Sequence, residues 1–188
     1  MSRVGWIVLA GIVLVIGAFA SLVRFGGAPV RRAVPVAPIA GGSGLAIPVA
    51  GVTRDRIADT WGDARSNGRS HHGTDIIAPG GTPVVAAAAG TIEKLFRSDL
   101  GGITLYLRSD DRRWTYYYAH LAGYAPGVRE GQRVVPGQQL GYVGDTGDAG
   151  AGNYHLHFSL TRTTPDQRWW EGEDVNPYPY LSRAAPLP

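Results

Sequence analysis

Gly152-Asn153-Tyr154-His155-Leu156-His157-Phe158-Ser159-Leu160 reads as a β-strand whose side chains divide between two faces. Leu156, Phe158 and Leu160 point one way, onto a core. His155, His157 and Ser159 point the other way, with two imidazoles side by side. A strand folds without two histidines on one face, whereas a metal site needs them. A single His-x-His is as readily a solvated strand face, so the weight falls on the other histidines. All five, His71, His72, His120, His155 and His157, lie in three short clusters.

A chain of 188 residues supports one domain and little more, and 44% hydrophobic with 18% charged residues is a globular composition. With no cysteine, neither a disulfide framework nor a thiolate zinc site is available; an oxidising compartment is permitted but not indicated. The 27 glycines and 13 prolines imply many turns and favour a β-rich fold. The net charge of +3 misleads if taken whole. From Leu45 onward 13 arginines and one lysine face 15 acidic residues, a balance of −1. The basic excess is Arg3, Arg24, Arg31 and Arg32, near the N-terminus. The main domain therefore lacks the surplus that marks a nucleic-acid binder.

Residues 4–23 carry no charge and are mostly Val, Ile, Leu, Ala and Gly, enough to span a bilayer as one helix. The rival is a cleaved signal peptide ending at Ala18-Phe19-Ala20. Either reading sends the rest of the chain to the membrane and across it, and an uncleaved anchor is the preferred one. Arg24, Arg31 and Arg32 outnumber Arg3 and argue for the opposite orientation by the positive-inside rule. Residues 24–44 are rich in Gly, Ala and Pro and have no period, which reads as a linker. The expected organisation is an anchor or signal over 1–23, a linker over 24–44, a domain over 45–183 and a tail over 184–188.

From Leu45 the pattern is short apolar runs punctuated by glycine. Polar residues 53–68 could hold a turn or short strand around Trp61. Two segments repeat a Gly-x-x-Val-Val-turn-Gly logic, 81–92 and 131–143, each read as a strand that enters, turns and leaves as a strand. Residues 103–107 and 114–118 form a hairpin around Ser109-Asp110-Asp111-Arg112. Nothing after Val23 sustains a helical period. The expectation is an all-β domain of two sheets or a flattened barrel-sandwich.

His71-x-Gly73-x-Asp75 offers an imidazole and a carboxylate, and Gly73 with its turn-forming neighbours places them on a strand or loop. Tyr118-Ala119-His120-Leu121 ends an aromatic strand. His71, Asp75 and one of His155 and His157 would supply three N, O and N ligands. That is the set of a catalytic zinc with one open position. Such an ion acidifies water to a pKa near 7 and polarises a carbonyl. The remaining histidines could serve as general base, proton donor or oxyanion stabiliser. Taken singly, Asp75 is a turn carboxylate and His120 a surface strand residue; jointly they are hard to place by accident.

His71-x-Gly-x-Asp75, Tyr-Ala-His120-Leu and Thr146-Gly147 followed by His155-Leu-His157-Phe together resemble the M23 zinc metallopeptidases, the lysostaphin and LytM-like peptidoglycan endopeptidases. The resemblance covers residues 47–181, including Val175-Asn176-Pro177-Tyr178-Pro179-Tyr180-Leu181. It implies an antiparallel β-sandwich, like a barrel-sandwich hybrid, with a central groove. It implies hydrolysis of an amide in the stems or cross-links of peptidoglycan. By position it makes His71, Asp75 and His157 the ligands of one Zn2+ per chain, and His120 and His155 the catalytic histidines that activate water and stabilise the tetrahedral intermediate. His72 falls at a variable position and takes no role. Trp61 stands where the family shows Phe. The linker holds no His, Asp, Glu or Asn that could plug the site.

One rival is an inert relative that binds peptidoglycan or regulates other hydrolases; it would have lost ligands that are present here. A lipoyl- or biotinyl-carrier needs a lysine at a hairpin tip, and Lys94, the only one, lies in a predicted strand. Tyr116, Tyr117, Tyr118, Trp169 and Trp170 read as core and groove lining. The substrate places the domain outside the cytoplasm. The loops over 97–102 and 145–153 would choose the bond, and a short tether would make a regulatory protein partner useful.

Overall fold

The computed structural model describes residues 44–187; the segment 4–23 and the linker before Gly44 lie outside the described residues. Nine strands form: β1 Thr74–Ile77, β2 Pro83–Val85, β3 Gly90–Ser98, β4 Gly102–Ser109, β5 Trp114–Tyr124, β6 Arg133–Val134, β7 Gln139–Val143, β8 His155–Arg162 and β9 Glu173–Val175. Helix among the described residues is confined to α1, Tyr178–Ser182, and three single 3-10 turns. None of it is long and apolar enough to cross a membrane.

Every strand pair is antiparallel. In place of two separate sheets there is one branched hydrogen-bonded network along β1-β8-β5-β4-β3-β6, with β9 on β8 and the β2–β7 pair joined through β5. The branch point is β5, which pairs with β8 as far as Ala119 and with β7 from Leu121 onward. All parts of the network feed one hydrophobic cluster, including Val84, Leu105, Leu107, Tyr118, Val134, Leu140 and Leu156.

The alternation read along β8 holds on its core face. Leu156, Phe158 and Leu160 are each 0% exposed, and burying such side chains contributes about 1.5–3 kcal/mol apiece. On the other face, His155 and Ser159 are buried too and His157 is half-buried, so this is a lined site and not a solvated surface. The hairpin between β4 and β5 forms as expected. Ser109 Oγ donates to Asp111 Oδ1 at 2.6 Å and accepts from Trp114 N at 3.0 Å, while Arg112 takes a positive φ of 57° to close the turn.

The two Gly-x-x-Val-Val segments do supply strands, but neither closes on itself. β2 pairs with β7 and β3 with β6, so each segment pairs its strands with those of the other. Around Trp61 there is a turn and not a strand, flanked by one isolated bridge between Ala64 and Ser70. β5 does not end at His120 but runs on to Tyr124. Gly44 bridges to Pro186, and Leu187 packs against the core.

Candidate metal centre and its groove

Three elements bring the site together. β1 pairs with β8 so that Asp75 faces His157, and β5 pairs with β8 on its other side so that Ala119 faces His157. Three successive strands therefore place a carboxylate, an imidazole and a small residue side by side. His71 lies before β1, in loop and not strand, and Gly73 lets the chain pass close enough to join it to the pair. A Cβ on Gly73 would lie 2.5 Å from His157 Cε1 and 2.9 Å from the Phe158 carbonyl oxygen.

His71 Nε2 lies 2.8 Å from His157 Nδ1 and 3.1 Å from Asp75 Oδ1, and His157 Nδ1 lies 3.2 Å from the same oxygen. Among the described residues this is the group of three side chains able to hold a metal ion, all three donor atoms lying within 4.8 Å of one another. His71 Nδ1–H donates to the Thr60 carbonyl at 2.6 Å, which leaves Nε2 as the lone-pair nitrogen turned to the cluster. The Thr60 hydroxyl accepts from Asp75 N at 3.0 Å, so one residue braces two of the three groups. Burial would raise the Asp75 carboxyl, but hydrogen bonds and charge from His157 and His71 outweigh it and hold the group well below the usual carboxylate range. Burial pushes His157 down from its ordinary value, against the pull of Asp75. A neutral imidazole and an ionised carboxylate are the forms that bind a cation. The donor set fits a divalent metal with borderline N and O preference.

His120 and His155 stand beside this cluster, their ring centroids 4.8 Å apart. His120 Nδ1–H donates to the Thr146 carbonyl at 2.8 Å, and His155 Nδ1–H to the Asn153 carbonyl at 2.9 Å. Since a carbonyl only accepts, Nε2 is the lone-pair nitrogen in both. His155 Nε2 lies 3.8 Å from Asp75 Oδ1. Burial lowers the His120 pKa to about 4, the Thr146 hydrogen bond pulling the other way. His120 also has a φ of 58°, in the left-handed region. One extra residue enters β5 between Tyr118 and Leu121, opposite Leu105 and Ile103 of β4. This bulge turns His120 out of the ladder where β5 changes partner, a placement typical of re-aimed side chains.

All five groups line one groove of about 750 Å³, whose wall also includes Tyr117 from β5 and Leu100, Gly101, Asp148 and Asn153 from the two expected loops. His72 turns from the cluster, stacking on Trp61 at 5.3 Å and meeting Asp174 Oδ2 at 2.9 Å. Thr60 and Arg65 were not legible as site residues, whereas Tyr117 was among the aromatics read as core and groove lining. Arg65 donates to the second oxygen of Asp75, and neither residue carries a local signal, because a threonine and an arginine in a polar loop are ordinary solvent-facing residues. One expectation is corrected: Trp169 and Trp170 belong neither to the core cluster nor to the groove wall. They sit on the loop between β8 and β9, Trp169 half-buried against Tyr106 and Phe96 and Trp170 exposed. Tyr116 and Tyr118 are core, and Tyr117 is the groove residue.

Residues 69–177 match the profile of peptidase family M23. The chain belongs to that family. Among the relatives of this M23 chain, an L-Ala--D-Glu endopeptidase of Bacillus subtilis is 38% identical over 129 residues, 65% of this chain and 38% of that protein. A lipoprotein NlpD/LppB homolog of Pseudomonas aeruginosa is 31% identical over 155 residues, 82% of this chain and 46% of that protein. The chain thus spans less than half the length of either. The catalytic domain of lysostaphin from Staphylococcus simulans superposes with a TM-score of 0.56 at 30% identity, covering 66% of this chain and 90% of that domain. The M23 assignment agrees with the all-antiparallel β architecture.

Proposed function

We propose that this M23 chain is a zinc-dependent endopeptidase that hydrolyses an amide bond in the peptide stems or cross-links of peptidoglycan. The observation that carries the reading is convergence. His71 Nε2, His157 Nδ1 and Asp75 Oδ1 meet at one point, and two further histidines with fixed tautomers border it in the same groove. His71, Asp75 and His157 would hold the ion. When bound, zinc supplies Lewis acidity toward a carbonyl and acidifies water.

The remaining steps belong to the protein's own groups. One of His155 and His120, with Nε2 unprotonated, accepts a proton of the attacking water, and the same imidazolium returns it to the departing amine. The charged imidazole formed in between favours the developing oxyanion. Burial holds the His120 ring neutral, so that Nε2 keeps its lone pair. Thr146 and Asn153 fix both rings through backbone carbonyls, which costs no reorientation during reaction.

The segment 4–23 is proposed as an anchor, 24–44 as its linker and 45–183 as the catalytic domain on the outer side of the membrane. A membrane-bound full-length chain that resists a high-salt wash supports the anchor, and recovery in the soluble fraction removes it. The second reading is a non-catalytic peptidoglycan binder or regulator, favoured by the lipoprotein relative, whose name carries no activity. Full-length chain incubated with purified peptidoglycan decides between the two, the released fragments being identified by mass. Fragments that vanish with a zinc chelator and in His155→Ala are the expected result, with a loss of about 10²-fold or more for the variant. No release from the zinc-loaded chain sinks the endopeptidase.

A further inference from the structure

Five aromatic side chains stand in file outward from the metal cluster. Tyr117 meets the His157 ring edge-on with centroids 5.9 Å apart, and Tyr106 packs on Tyr117 at 4.6 Å. Trp169 meets Tyr106 at 4.6 Å, and Trp170 and Phe96 lie 4.8 and 5.4 Å from Trp169. Tyr117, Tyr106 and Trp169 are half-buried, whereas Phe96 is 40% and Trp170 54% exposed. None of the five belongs to the hydrophobic core cluster. A contiguous run of rings that the core does not use marks a surface kept for contact.

The loop carrying the two indoles is fixed from beneath. Arg108, 2% exposed, donates through Nε to Glu93 at 2.6 Å, through Nη2 to the Gln167 carbonyl at 3.0 Å, and through Nη1 to Thr163 Oγ1. Arg168 N donates to Glu171 Oε2 at 2.8 Å, and Glu171 N returns a bond to the Arg168 carbonyl at 3.0 Å. The rings are held in place before any ligand arrives, so contact with them costs little ordering.

We infer that Trp169, Trp170 and Phe96 form a stacking subsite for a hexopyranose ring of the glycan strand. The inference rests on the peptidoglycan reading and extends it from the peptide to the sugar. A pyranose presents a face of C–H groups that matches the electron-rich face of an indole, and its rim of hydroxyl and acetamido groups requires polar partners. The Arg168 guanidinium, over one face of the Trp170 ring at 5.2 Å from its centroid, brings hydrogen-bond donors beside the stacking surface. The file begins on the wall of the peptide groove, so the two sites are continuous. At about 3.5 Å per extended residue, a stem with its scissile bond at the cluster brings the attached sugar to the outer rings within about six residues. An apolar peptide side chain would need no such rim.

The test uses full-length chain in detergent micelles and glycan strands stripped of their stem peptides, with binding followed by tryptophan fluorescence and co-sedimentation. The strands are expected to bind wild type and His155→Ala alike, which separates this subsite from the endopeptidase reading. Trp170→Ala should bind about ten-fold more weakly, about 1.4 kcal/mol, and Trp170→Phe should regain most of the loss, while affinity for sugar-free stem peptide stays unchanged. Equal binding of Trp170→Ala and wild type, or no binding of the strands by either, overturns the subsite even if cleavage is observed. An equal loss for sugar-free peptide also overturns it and makes the patch a peptide contact. Strand binding lost in Trp170→Ala but without any cleavage would leave the subsite standing and remove the endopeptidase.

Discussion

Gly73 shows how much of the site depends on one missing side chain. The His157 ring occupies the place where a β-carbon would be, 2.5 Å from Cε1, and the Phe158 carbonyl closes the other side at 2.9 Å. Gly73→Ala must therefore displace the His157 ring, the proposed metal ligand, since the backbone of β8 cannot yield. Zinc affinity is expected to fall about 10- to 100-fold, the range seen when ligand orientation is lost, with the β-sheet circular dichroism unchanged. Affinity equal to wild type in a competition titration would contradict this. His120 makes a related point. Its φ of 58° costs of order 1–3 kcal/mol, retained where the ring must leave the ladder and face the groove. The types and spacing of His71, Asp75, His120, His155 and His157 were legible because two-ligand clusters are chemically unusual on a strand. The supporting contacts of Thr60 and Arg65 were not, because they are made by a loop carbonyl and a flexible guanidinium, groups that any polar loop carries.

Strands were legible wherever apolar and polar side chains alternate, as in β8, or a turn sequence fixes a hairpin, as between β4 and β5. Pairing between distant strands was less so. The repeated Val-Val segments look like two hairpins because each contains a strand, a turn and a strand, yet register is set by which faces reach the core. Val84 of β2 and Leu140 of β7 are both 0% exposed and reach the same cluster, which favours the exchange. Arg108 on β4 ties this layer to the loop that follows β8. Arg108→Leu leaves Glu93 without its buried partner and frees the Gln167 carbonyl, at a cost of about 3 kcal/mol in unfolding free energy. A lowered urea midpoint is the expected reading, and a midpoint equal to that of wild type would show that the buried pair holds nothing.

At the scale of the whole molecule, charge and hydropathy divide the sequence into two parts. The four arginines before Leu45 flank an uncharged run, while the domain after it is nearly neutral, with 14 basic against 15 acidic residues. That balance suits a surface that reads a neutral amide and a sugar by shape and short-range contact, and not one that gathers polyanions. The aromatic residues near the C-terminal end of the domain were the least legible feature. Composition cannot distinguish a ring that fills the core from one outside it, and Trp169, half-buried, and Trp170, exposed, proved to be of the second kind.

His71 and Asp75 from one stretch of sequence and His157 from another are proposed to meet at one metal centre. The most direct measurement is the zinc content of the purified full-length chain by atomic emission, beside Asp75→Ala. One zinc per chain in wild type and close to none in the variant is the expected result. A wild-type chain that takes up no zinc, or an Asp75→Ala chain that holds as much as wild type, would contradict it.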